Sequence, residues 1–164
     1  LEEGLIHKIE EIYQRYQVDR NLIEIEVTES ASVGERETIV EISGRLASLG
    51  YRIALDDFGA KYSNMSILSA MELEVLKLDR SLVSDLFSNE KTRVVVKNFL
   101  QTCRQLGIQS VAEGVESREQ LEVLEVLGCD YAQGYYFNKP IPLEKFEEFY
   151  LKSSSCGEYI EIHS

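Results

Sequence analysis

Five short apolar runs recur along the sequence, and all but one of the gaps between them are filled by stretches with helical spacing. The runs are Leu22–Thr28, Arg52–Leu55, Val75–Leu78, Ile108–Ala112 and Tyr131–Gln133. Ahead of them, Leu5, Ile9, Ile12 and Tyr16 recur at helical spacing and predict a helix over Leu1–Tyr16. Between and after the runs the pattern predicts helices over Glu35–Leu49, Lys91–Leu106 and Ser117–Leu127. Gly50, Gly107 and Gly128 stand at their ends as C-caps. A shorter helical stretch is expected over Ser66–Met71, a turn near Leu82, and a last helix over Leu143–Tyr150 opened by Pro142. Strands that alternate with helices pair in parallel through right-handed crossovers. With 164 residues there is room for one domain with a substantial core, built either as a doubly wound sheet or as a (β/α) barrel.

Side-chain phase favours the barrel. A barrel strand packs one face on the helices and turns the other into the lumen. The apolar face of the first run is Ile23, Ile25 and Val27, which leaves Glu26 pointing inward. Ile53 and Leu55 face outward, so Asp56 faces inward. Leu76 and Leu78 do the same for Lys77. Ala132 faces the helices, and Gln133 shares the opposite phase with Tyr131. The fourth run is ambiguous, with Glu113 inward as a reasonable reading. Five successive strands thus carry one polar group each near the C-terminal mouth. Gathered acids repel one another and are costly to bury unless a cation sits among them. Asp56 and Asp57 close the second run before Phe58 and Gly59 turn into a polar loop. An adjacent acidic pair of this kind is most often a capped surface turn, and it becomes a metal site only if other strands bring matching groups. A hard cation such as Mg2+ takes oxygen ligands of this type.

The remaining features narrow the class. The formal charge of −12 lacks the basic footprint of a binder of polymeric nucleic acid. A small anionic ligand is compatible if a metal supplies local positive charge. No glycine-rich G-x-G-x-x-G or P-loop run follows any strand. No stretch resembles a signal peptide, and no apolar run approaches the roughly 18 residues of a membrane span. Cys103, Cys129 and Cys156 are odd in number and widely spaced, which suits a reducing cytoplasm better than a disulfide framework. His7 and His163 read as solvated, and Tyr135, Tyr136 and Phe137 as core residues.

The segments IEIEVTES, IALDDFG, LKLDRSLV, SVAEGVES and YAQGYYFNKPIP, in this order across about Leu22 to Leu143, resemble the EAL domain, the bacterial cyclic di-GMP phosphodiesterase family. The resemblance implies a (β/α)8 barrel in which residues 1–150 form the C-terminal three quarters, an incomplete barrel of about five parallel strands. Residues 151–164 would then be a tail or linker. It implies Mg2+ or Mn2+ as cofactor and opening of cyclic di-GMP to linear pGpG. Carried over position by position, Glu26, Asp56, Asp57 and Glu113 resemble the family's metal ligands. Lys77 resembles the lysine that holds the attacking water, and Gln133 the glutamine near the substrate. Glu29 resembles the acid that braces the loop after DDFG, and Glu116 stands behind Glu113.

Two departures from the family pattern shape the expectations. The opening strands with E-x-L-x-R and N-x-S, which supply a Glu and an Asn to the metals, have no counterpart in this sequence. Glu-Val-Leu triplets at Glu74, Glu122 and Glu125 lack the arginine, and Asn64-Met65-Ser66 lies in the wrong loop. The loop that usually reads DDFGTGYSSL reads DDFGAKYSNM, with Ala60-Lys61 for Thr-Gly. These residues alone are therefore expected to be inactive, with a degenerate module that binds cyclic di-GMP or a protein partner without hydrolysis as the alternative. Open strand edges predict a homodimer or incorporation into a larger multidomain signalling protein.

Overall fold

The computed structural model describes residues 2–28, 36–60 and 66–151. Five strands, β1 (Glu24–Thr28), β2 (Arg52–Phe58), β3 (Val75–Leu78), β4 (Gln109–Glu113) and β5 (Tyr131–Gln133), form one sheet. The strands are all parallel and lie in sequence order, with β1 and β5 at its edges. The helices are α1 (Glu2–Tyr16), α2 (Arg36–Ser48), α3 (Arg80–Asp85), α4 (Glu90–Leu106), α5 (Arg118–Leu127) and α6 (Leu143–Phe146).

Their ends follow local chemistry. Asn89 Oδ1 accepts from the backbone N–H groups of Lys91 and Thr92 to start α4, and Gly107 ends it at φ 72°. Ser117 and Gln120 form a reciprocal capping box at α5. The core lies between the sheet and its helices. Leu46 of α2, Ile53 and Leu55 of β2, Leu76 and Leu78 of β3, and Val96 and Leu100 of α4 are almost fully buried. Each such side chain stabilises the fold by about 1.5–3 kcal/mol. Phe58 is fully buried and packs edge-on against Phe99, ring centroids 4.9 Å apart.

Register defines the opposite face. The pairs Glu26↔Ala54 and Thr28↔Asp56 join β1 to β2. Ala54↔Val75 joins β2 to β3, Lys77↔Val111 joins β3 to β4, and Val111↔Tyr131 and Glu113↔Gln133 join β4 to β5. Paired residues in neighbouring strands share a face. Glu24, Arg52 and Gln109 therefore form a polar layer at the N-terminal end, tied by Arg52 Nη2 donating to Gln109 Oε1 at 2.6 Å and lying 4.0 Å from Glu24 Oε2. Ala54, Val75, Val111 and Tyr131 come next. Glu26, Asp56, Lys77, Glu113 and Gln133 form a second polar layer at the C-terminal end.

Several boundaries differ from those the sequence predicts. The first strand starts at Glu24, because Asp19 caps a 3-10 turn over Arg20–Leu22. The second continues through Asp56, Asp57 and Phe58. Ser66–Ala70 forms turns with no helix, and the last helix passes into a π-helical turn over Glu147–Leu151. On α1 the inward residues are Ile6 and Ile9, while Leu5, Ile12 and Tyr16 are exposed. The helix rotates to bring Glu10 between Tyr51 Oη, which donates at 2.8 Å, and Arg20, at 2.6 Å. Tyr135 is more than half exposed, and Tyr136 and Phe137 are exposed over about two fifths of their surface. They follow the edge strand β5 and are exposed, and so are not core residues. Among the described residues no helix is long and apolar enough to cross a membrane.

Candidate metal centre

The second polar layer is built around Lys77. It sits in the middle strand, and its side chain is 10 % exposed. Its Nζ lies 2.7 Å from Glu113 Oε1, 2.8 Å from Glu26 Oε1 and 3.4 Å from Asp56 Oδ1. Burial alone would lower the ammonium's pKa. The hydrogen bonds that the ammonium donates to Glu113 and Glu26, and the negative charges of Glu113 and Asp56, outweigh it and hold the lysine above its usual range.

Asp57 joins this layer by a break in the strand's period. Leu55 pairs with Leu76 and Phe58 with Leu78, so β2 spends one residue more than β3 over the same span. Asp56 and Asp57 together stand opposite Lys77, the signature of a β-bulge. Asp57 has φ 57°, the left-handed region. Aspartate tolerates that conformation better than most residues, and it re-aims a side chain that an unbroken strand would point outward. One carboxylate oxygen from each of Asp56, Asp57 and Glu113 lies within 4.8 Å of the other two.

Glycines seat the strand ends. Beyond the bulge, Gly59 has φ 96°, and a Cβ there would lie 2.3 Å from Leu82 Cδ1 of α3. After β5, a Cβ on Gly134 would lie 2.1 Å from the Val115 carbonyl oxygen and 2.3 Å from its nitrogen. This close approach lets Val115 N–H donate to the Gln133 carbonyl at 3.0 Å, and Tyr136 N–H to the Val115 carbonyl at 2.9 Å. Those bonds hold the end of β5 against the segment that follows Glu113.

Of the residues singled out from the sequence, Glu26, Asp56, Lys77 and Glu113 converge, and Asp57 joins them through the bulge. Gln133 lies beside Glu113 in register but is exposed at the edge. Glu116 is exposed, and its backbone N–H donates to Gln120 Oε1. Glu29 and Lys61 lie outside the described residues. The Arg52 layer escapes the sequence reading. Its only signal was Glu24, in phase with Glu26.

The donor set fits a hard divalent cation. All candidate ligands are carboxylate oxygens. Asp56 Oδ1 is buried and accepts no hydrogen bond among the described residues, since the 3.4 Å approach of Lys77 is an ion pair without hydrogen-bond geometry. An acceptor left in this way inside a cluster of acids is suited to a metal ligand.

A family model described as the EAL domain matches residues 1–140. The signaling protein YkoW of Bacillus subtilis is 36% identical over 151 residues, which is 92% of this chain and 19% of YkoW. The chain spans about a fifth of the length of the curated relatives it matches. The solved structure of PaMucR phosphodiesterase in complex with c-di-GMP is 31% identical with a TM-score of 0.81, over 87% of this chain and 58% of that one. The Klebsiella pneumoniae BlrP1 manganese/cy-diGMP complex is 30% identical with a TM-score of 0.78, over 82% of this chain and 34% of that one.

Proposed function

Since the chain belongs to the EAL-domain family, we propose that it forms part of a phosphodiesterase domain that opens cyclic di-GMP to linear pGpG with Mg2+ or Mn2+. The observation that carries this reading is the meeting of Glu26, Asp56, Lys77 and Glu113 on one sheet face, with Asp57 turned toward them by the bulge. Glu26, Asp56, Asp57 and Glu113 would hold the metal. A divalent cation bound there supplies Lewis-acid polarisation of the phosphoryl group and offsets its negative charge. In this reading the Lys77 ammonium donates a hydrogen bond to the attacking water and orients it toward phosphorus. Water oxygen joins phosphorus as one bridging P–O bond of the ring opens, and the departing ribose oxygen gains the proton that water loses and becomes a free hydroxyl. Glu113 lies 2.7 Å from Lys77 and steadies the ammonium. Gln133, exposed beside Glu113 at the edge, is available to the nucleotide. The manganese and c-di-GMP complexes of similar proteins support the choice of metal and ligand.

A second reading is favoured for these residues on their own. The sequence has no E-x-L-x-R, and its N-x-S, Asn64-Met65-Ser66, follows DDFG where the family has it on an opening strand, so the resemblance leaves two metal ligands to be supplied by other segments. For the isolated chain we therefore propose binding without turnover. Incubation with cyclic di-GMP and Mn2+, followed by chromatography for pGpG, tests both readings. We expect no pGpG from this chain alone, and turnover abolished by Asp56→Ala once it is part of a complete domain. Turnover by the isolated chain that disappears in Asp56→Ala would remove the second reading. A complete domain indifferent to Asp56→Ala would remove the first. Three thiols without a disulfide framework support a cytoplasmic location, and the greater length of the relatives supports a place in a multidomain signalling protein.

A further inference from the structure

The Lys77 ammonium has three N–H donors, and three carboxylates surround it, at 2.7, 2.8 and 3.4 Å. It is fixed in the middle strand, with Ala54 and Val75 lying toward the N-terminal end on the same face. Glu113 and Asp56 belong both to this arrangement and to the group whose oxygens lie within 4.8 Å of one another. Three carboxylates are thus held around one positive charge, and Asp57 adjoins two of them. We infer that Lys77 is a built-in counter-ion that holds the carboxylate cluster together and competes with the divalent cation for Glu113 and Asp56. The competition rests on the reading of these acids as metal ligands.

Physical chemistry then links two measurements. Without its ammonium the cluster is left with uncompensated, mutually repelling carboxylates, so the fold weakens. The same loss removes a competitor and a repelling charge, so a divalent cation binds more tightly and stabilises the variant more than the parent. A lysine that merely fills space predicts only the first effect. A lysine that recruits metal predicts weaker binding after its removal.

The test uses the chain, Lys77→Met and Lys77→Met with Glu113→Gln. Each is melted in EDTA and in excess Mn2+, and each is titrated with Mn2+ by calorimetry. We expect Lys77→Met to melt about 6 °C or more below the parent in EDTA. Neutralising Glu113 in that background should recover part of the loss. Mn2+ should bind Lys77→Met about 10-fold more tightly than the parent. A Lys77→Met melting point equal to or above the parent's overturns the counter-ion role, as does a loss that Glu113→Gln does not relieve. Equal or weaker Mn2+ binding by Lys77→Met overturns the competition alone. Mn2+ binding to neither protein overturns the competition and the metal-ligand reading together.

Discussion

Replacing Gly134 by alanine tests how the edge strand is held against the site. The added Cβ would sit 2.1 Å from the Val115 carbonyl oxygen, 2.3 Å from its nitrogen and 2.7 Å from its carbonyl carbon. All three are backbone atoms, so no side-chain rotation relieves the clash. The backbone must separate, and the two bonds that cross here, Val115 N–H to Gln133 and Tyr136 N–H to Val115, are lost or stretched. Overpacking costs about 1–3 kcal/mol, and two weakened hydrogen bonds add about 1–3 kcal/mol. A loss of roughly 2–6 kcal/mol follows, or about 4–24 °C for a chain of this size. The proper control is Gly44→Ala. Gly44 lies inside α2, and nothing comes within 4 Å of an added Cβ, so that variant should gain up to about 1 kcal/mol. Urea unfolding followed by circular dichroism measures both. A Gly134→Ala variant within about 1 kcal/mol of the parent would show that β5 is not braced through Val115, and the account of how Gln133 is kept beside Glu113 would fall.

Asp57→Gly should raise stability by roughly 1 kcal/mol, because glycine adopts φ 57° without steric cost, while Mn2+ heats in calorimetry shrink. Unchanged heats would remove Asp57 from the metal site. Burial raises the pKa of both Cys103 and Cys129 to about 11. Their ionisation is therefore disfavoured in the fold, and the stability this represents is intact below the ordinary value near 9.0 and lost as pH rises toward 11. Cys129→Ala should flatten the decline over that window in urea titrations at stepped pH; an unchanged slope would contradict the burial argument. Finally, with β1 and β5 as the sheet's edge strands among the described residues, light scattering should show mass rising with concentration. A compact, concentration-independent monomer would mean that the edges are hidden in another way.

How far the sequence reaches depends on whether a feature obeys a period. Lys77, Glu26 and Asp56 stood in the same phase, and the parallel register sets their strands so that the phases coincide. The ambiguity at Glu113 is settled by one pair, Lys77↔Val111, which puts Glu113 two residues further along the same face. Asp57 shows the limit. A period of two assigns it outward, and only an inserted residue with a left-handed φ turns it in. Nothing in the letters Asp-Asp-Phe marks the bulge. Arg52 shows another limit, since an arginine opening an apolar run reads as solvent-facing until Glu24, Glu74 and Gln109 are seen within its reach. The stripe on α1 was misread because Ile6 and Leu5 are equally apolar. The choice between them was made by Glu10, whose partners Arg20 and Tyr51 lie 10 and 41 positions away in the chain.

The strict sequence order of the strands bears on how the chain is made. Each strand meets the one synthesised just before it, through a short crossover such as the one from β4 through α5 to β5, which is cheap to close. A chain emerging from the ribosome can lay down β2 on β1, then β3, β4 and β5, with no strand waiting for a partner still to be translated. Parallel sheets are ordinarily slow to assemble because their pairings are distant. Here growth from one end keeps every pairing between strands that are neighbours in the sequence, and each new strand finds its template already in place.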